Sequence, residues 1–139
     1  MRQFIVIFSV LVTLVLCGCN LVGGDAALTA TPEIPTVEFQ FPNNNVAVVS
    51  GTDLQIQLLA QDSHGIARIE LTVDGQPHQT AAPVDSETVP VFTVDMNWLA
   101  EGIGLHSLQA VAYRLDGSAS NPAMINVNVT APAAATESS

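Results

Sequence analysis

Between Pro35 and Thr130, apolar residues recur at every second position in one short run after another. Val37, Phe39 and Phe41 alternate with Glu38 and Gln40. Leu54, Ile56, Leu58 and Ala60 alternate with Gln55, Gln57 and Gln61, and Leu59 breaks the rule. Ile69, Leu71 and Val73 alternate with Glu70 and Thr72, and Phe92, Val94, Met96 and Trp98 with Thr93, Asp95 and Asn97. Leu108, Ala110 and Ala112 flank Gln109, and Ile125, Val127 and Val129 flank Asn126 and Asn128. Successive strand side chains point to opposite faces, so each run has one wet face and one dry face. No stretch of helical length carries apolar residues at three- and four-residue spacing. The pattern predicts an all-β domain.

Turn signals separate the runs: Pro42-Asn43-Asn44-Asn45, Ser50-Gly51-Thr52, Asp62-Ser63-His64-Gly65, Asp74-Gly75, the Gly102 to Gly104 segment and Asp116-Gly117. Asp-Gly is a strong hairpin dipeptide, because both residues tolerate the positive φ of a tight hairpin turn. Short strands with this punctuation predict a two-sheet antiparallel sandwich of about seven strands over residues 36–130. Aromatics make up 5% of the chain, so the core must be built mainly from Val, Ile, Leu and Ala.

The first 18 residues read differently. Met1-Arg2-Gln3 precedes the apolar run Phe4 to Leu16. A membrane-spanning helix needs about 20 such residues, so this run has the length of a signal-peptide helix. Leu16-Cys17-Gly18-Cys19 resembles the lipobox of bacterial lipoprotein signals. That resemblance implies cleavage between Gly18 and Cys19 and lipidation of Cys19, with palmitate among the attached acyl chains. Each buried methylene adds about 0.8 kcal/mol, so two or more chains hold a protein firmly. The expected place is the cell membrane, lipid-anchored on its extracytoplasmic face; inner and outer membranes both stay open. An uncleaved N-terminal helix is the main alternative, and ordinary signal cleavage without lipid a lesser one. Residues 19–35, with Gly23-Gly24 and two prolines, read as the lipidated cysteine and a flexible tether that spans roughly 20 Å as a coil. Residues 131–139 read as a disordered tail.

The net charge is −10, with three arginines and no lysine. Nucleic-acid binding needs clustered Lys and Arg, so the composition argues against it, and against charge-driven adhesion to anionic lipids. A strongly acidic surface keeps a secreted domain soluble and apart from its neighbours, and a monomer is expected. A basic partner is the other reading of the same charge. Cys17 and Cys19 both precede the strands, so no intramolecular disulfide can staple the domain. Its stability is therefore expected to come from burial alone.

Three stretches carry a further resemblance. Ala60-Gln61-Asp62-Ser63-His64-Gly65-Ile66 continues to Val73-Asp74-Gly75. Val91 to Trp98 is an aromatic-bearing strand. Gly104-Leu105-His106-Ser107-Leu108-Gln109-Ala110 follows it. In this order they resemble the bacterial immunoglobulin-like domains of cell-surface proteins. The resemblance implies an immunoglobulin-like sandwich that serves as a spacer, an adhesin or a binding module. It says nothing specific of function, since one fold hosts many.

No residue set supports a catalytic or cofactor claim. Asp62-Ser63-His64 contains the residue types of a hydrolase triad, but neighbours in one short loop cannot usually form the nucleophile–base–orienter line. His64, His78 and His106 lack the close spacing of a zinc set, and His106 reads as turn-stabilising. Asp62, Asp74 and Asp116 lie beside glycines and are weak calcium candidates. Trp98 falls on a dry face and reads as core, and Tyr113 on a wet one. The expected function is a non-enzymatic surface lipoprotein that contacts an envelope protein or glycan, or acts as a structural module. A calcium- or small-ligand-binding module is the alternative.

Overall fold

A computed structural model describes residues 33–134. The leader, the Gly18–Cys19 junction, most of the tether and the end of the tail lie outside the described residues. Eight strands follow one another: β1 (Thr36–Phe41), β2 (Val46–Val49), β3 (Asp53–Ile66), β4 (Arg68–Val73), β5 (Gln76–Ala81), β6 (Val89–Leu99), β7 (Gly104–Tyr113) and β8 (Ala123–Thr130). They form two sheets, one of three strands in the order β1-β3-β6 and one of five in the order β2-β8-β7-β4-β5.

The alternating positions become the core. Leu54, Ile56, Leu58 and Ala60 of β3, with Met96 and Trp98 of β6, are buried together with Ile69, Leu71, Leu108, Ala110, Ala112, Val127 and Val129 of the five-stranded sheet. Burying a side chain such as Ile56 or Leu58 is worth about 1.5–3 kcal/mol. Val73 and Gln76 pair across Asp74 (φ 51°) and Gly75 (φ 76°), the two positive φ angles a two-residue hairpin needs.

Several expectations are corrected. Asp62-Ser63-His64-Gly65 is not a turn between strands; it lies inside β3, which runs on to Ile66 through an irregularity in its pairing with β6. The strands β2 and β5 add to the alternating runs. The sandwich is not wholly antiparallel either, since β2 pairs with β8 in parallel. This happens because the chain changes sheets after β1. The Asn turn holds the crossing: the Asn45 amide donates to the Asn126 carbonyl at 2.7 Å, and the Asn126 amide to Asn44 Oδ1 at 2.8 Å. Phe41 does not continue the dry face of Val37 and Phe39. A register shift between Phe39 and Phe41 places it opposite Gln57, on the outer face, where it is exposed.

The pairing also fixes which features share an end. Arg114, just past β7, donates to the Glu33 carbonyl, so the described chain enters at that end. At the other extreme of β7, Gly104 pairs with Val129 near the end of β8. Ten residues of strand lie between, roughly 30 Å. The Arg114 end is called the near end below, and the Gly104 end the far end.

Candidate functional site

At the near end, Asp62 is buried with no exposed side-chain surface. Arg114 meets it with two prongs: Nε donates to Oδ2, and an Nη nitrogen to Oδ1 at 2.8 Å. The same Nη group donates to the Glu33 carbonyl at 2.6 Å. The loop after β7 is shaped to hold the arginine. The Arg114 amide donates to the Ser118 carbonyl, the Ser118 amide to Asp116 Oδ1, and buried Ser120 exchanges bonds with Ala112. Asp62 belongs to β3 and Arg114 follows β7, so the pair ties one sheet to the other and to the incoming chain. Burial alone is therefore not what joins the sheets. The Arg114 guanidinium holds the Asp62 carboxyl below its ordinary value against the opposing effect of burial, with help from the His64 amide. The same contact raises the Arg114 pKa.

The neighbouring Ser63 and His64 do not form a relay. Ser63 Oγ lies 3.1 Å from His64 Nδ1 and 3.1 Å from Glu33 Oε2. Asp62 Oδ1 lies 3.7 Å from that same Nδ1. A general base must take the nucleophile's proton through one ring nitrogen and be oriented through the other. Here serine and aspartate face one nitrogen, and the aspartate is already neutralised by Arg114.

At the far end, His106 of β7 bridges two loops. Its Nδ1 lies 2.7 Å from Asp74 Oδ2, in the β4–β5 turn, and its Nε2 lies 2.7 Å from the Gly102 carbonyl, in the β6–β7 loop. The Ser107 amide donates to Asp74 Oδ1 at 2.9 Å, and the Asp74 amide to the Ser107 carbonyl at 2.8 Å. The Trp98 ring is tilted against the imidazole, 5.2 Å between centroids. Gly102 has φ +80°, a conformation in which a side chain would be strained, and a β-carbon there would lie in contact with the imidazole at 3.4 Å. The Ser107 amide, then His106, lowers the Asp74 pKa. Asp74, then the Gly102 carbonyl, raises that of His106.

The three weak calcium candidates are thus divided between the two ends and engaged with protein groups. Among the described residues, no three His, Cys, Asp or Glu side chains converge as metal ligands. The histidines are divided too. His78 of β5 meets the Asn97 carbonyl at 2.9 Å and Gln79 accepts from the Asn97 amide, which covers that part of the β6 edge. Trp98 is buried, as its strand face implies. Tyr113 is half-buried under the Arg68 guanidinium, 4.0 Å from the ring centre.

The far end also carries exposed apolar side chains, which no local pattern in the sequence marks as a set. Ile103 and Leu105 are 71% and 67% exposed, and Leu99 and Val49 about half. They share this end because Gly51 and Thr52, next to β2, exchange backbone bonds with Ala100, and Val49 pairs with Thr130; Leu99 faces out from the three-stranded sheet and Leu105 from the five-stranded one.

The model of the bacterial Ig domain family matches residues 35–110. The chain belongs to that family. Solved structures agree on the fold. A fibronectin(III)-like module of Clostridium thermocellum CbhA is 26% identical with a TM-score of 0.54, and the match covers 69% of this chain and 98% of that one. The CARDB domain of a Pyrococcus furiosus protein, solved with di-metal ions, is 13% identical with a TM-score of 0.54 over 69% and 87%. A PKD domain of an M14-like peptidase from a Thermoplasmatales archaeon is 14% identical with a TM-score of 0.50 over 69% and 92%. No curated protein matches the chain. In this bacterial Ig domain, the signal for the near-end tie was legible only as one of three arginines standing directly after an alternating strand.

Proposed function

We propose that the protein is a non-enzymatic surface lipoprotein, anchored through lipid on Cys19 at the extracytoplasmic face of the cell membrane. It holds its bacterial Ig domain out as a contact module for another envelope protein. The separation of the two ends carries this reading. The described chain enters at the Arg114 end, and the exposed Val49, Leu99, Ile103 and Leu105 lie a strand length away. A domain hung by its N terminus would turn these side chains away from its own membrane. Exposed apolar side chains at one end of the domain suit a protein partner better than a glycan, because desolvating them favours binding without polar pairing. The lipobox resemblance at Leu16 to Cys19 supports the anchor.

Two measurements test the parts separately. The wild type should take up labelled palmitate and sediment with membranes, and Cys19→Ala should accumulate as an unlabelled precursor. Lipid uptake by Cys19→Ala removes the anchor. A photo-crosslinking residue in place of Ile103 should give defined adducts on intact cells, and one in place of Val84, in the near-end β5–β6 loop, should give none. The reverse pattern removes the far-end contact.

A further inference from the structure

Both ring nitrogens of His106 face oxygen acceptors at 2.7 Å, the Asp74 carboxylate on one side and the Gly102 carbonyl on the other. Neither acceptor carries a proton to offer. A neutral imidazole has one N–H and one bare lone pair, so it can satisfy only one of them. The imidazolium satisfies both. The geometry is therefore that of a doubly protonated ring, in a site whose histidine side chain is 18% exposed.

We propose that His106 is a proton-operated clasp: as the imidazolium it binds the β6–β7 loop to the β4–β5 turn, and loss of one proton releases the loop at Gly102. The side that lets go follows from charge. Asp74 is an anion and Gly102 a neutral carbonyl, so the remaining proton stays on Nδ1 against the carboxylate. The bare Nε2 then faces the Gly102 oxygen, lone pair against lone pair, and that contact opens. Ile103 and Leu105 lie between Gly102 and His106, so release alters how these exposed apolar side chains are presented.

The surroundings contain little to oppose the clasp. Asp74, from the β4–β5 turn, is the charged group in contact with the ring among the described residues. From β6 comes neutral Trp98. From β8 comes Val127, paired with His106. Glu101 precedes Gly102 but is exposed. The raised His106 pKa, caused first by Asp74 and then by Gly102, agrees in direction with this arrangement. The clasp works within the free domain and does not depend on the far end being a contact surface.

Trp98 reports on it, being the chain's single tryptophan and in contact with the ring. A protonated imidazole quenches indole emission, and the neutral ring quenches it less. Emission of the intact protein should rise with pH, with its midpoint above the ordinary histidine value of 6.5. Asp74→Asn should move that midpoint down, and His106→Gln should abolish the step. The ring nitrogens followed by NMR should show both N–H groups below the midpoint and Nδ1–H alone above it. Should His106→Gln fail to fold, the Asp74→Asn titration and the wild-type ring spectra still decide. A midpoint at or below 6.5, or a neutral ring carrying its proton on Nε2, would overturn the proposal.

Discussion

Each end of this sandwich is held by an ion pair, and the two pairs differ in what they withstand. At the near end, Asp62 is wholly buried and Arg114 mostly so, and their contact pushes both titrations away from neutrality, the carboxyl down and the guanidinium up. At the far end, Asp74 is half exposed, and its partner His106 is an imidazole, whose charge depends on one proton. One end is fixed where the described chain enters. The other is adjustable where apolar side chains are displayed. A buried two-pronged pair costs desolvation and returns it only through close geometry, so its value lies in joining the sheets in one register. A half-exposed pair contributes less and can be released.

Removing one member of the near-end pair should have the largest effect. Arg114→Ala leaves Asp62 buried without a counter-charge, and its urea midpoint should fall below that of any other variant named here. Arg114→Lys keeps the charge but not the fork, and should recover only part of the loss. Next comes Leu58→Ala, in the core between the ends, which should cost about 3 kcal/mol in urea unfolding, equally at pH 5.5 and pH 8.5.

The far-end pair should give a smaller effect that depends on pH. The folded-state pKa of His106 is raised, so its contribution is complete below about 6.5 and is lost as pH rises through the raised value. Asp74 is lowered, so its contribution is present above about 3.8 and lost as pH falls through the lowered value. His106→Gln should therefore cost about 1 kcal/mol near pH 5.5, discounted for the half-exposed carboxylate, and less at pH 8.5. A cost that does not change between these two pH values would erase the contrast between the ends. The smallest effect belongs to Arg68→Ala, which uncovers Tyr113 on the outer face and should change stability by about 0.5 kcal/mol.

How much of this was legible varies with the kind of signal. Where a strand has one dry face, as in β3, β4, β6, β7 and β8, alternation marked it because burial demands apolar side chains at every second position. β2 offers only Val46-Ala47-Val48-Val49, with no polar partner positions to reveal its faces. β5 reads Gln-Pro-His-Gln-Thr-Ala because an edge strand needs ladder bonds on one side only, and so tolerates Pro77 and polar side chains. Asp62-Ser63-His64-Gly65 looked like a turn because those residue types favour turns. The strand continues there because Arg114 satisfies Asp62 across the sheets, a contact over 52 positions that no local pattern carries. The two ends behave alike in this respect. Asp62, Asp74 and His106 were visible as residues, but which residue each would pair with was not, since long-range pairing leaves no spacing to read.

Hydrogen exchange followed by NMR tests the contrast most directly, because each end owns amides whose partners are known. At the far end, the Ala100 amide donates to the Thr52 carbonyl and the Gly51 amide to the Ala100 carbonyl. At the near end, the Ala67 amide donates to the Tyr113 carbonyl and the Ser120 amide to the Ala112 carbonyl. Protection factors corrected for intrinsic exchange should fall at Gly51 and Ala100 between pH 5.5 and pH 8.5, and hold at Ala67 and Ser120. Equal loss at both ends, or unchanged protection at Gly51 and Ala100, would contradict the account.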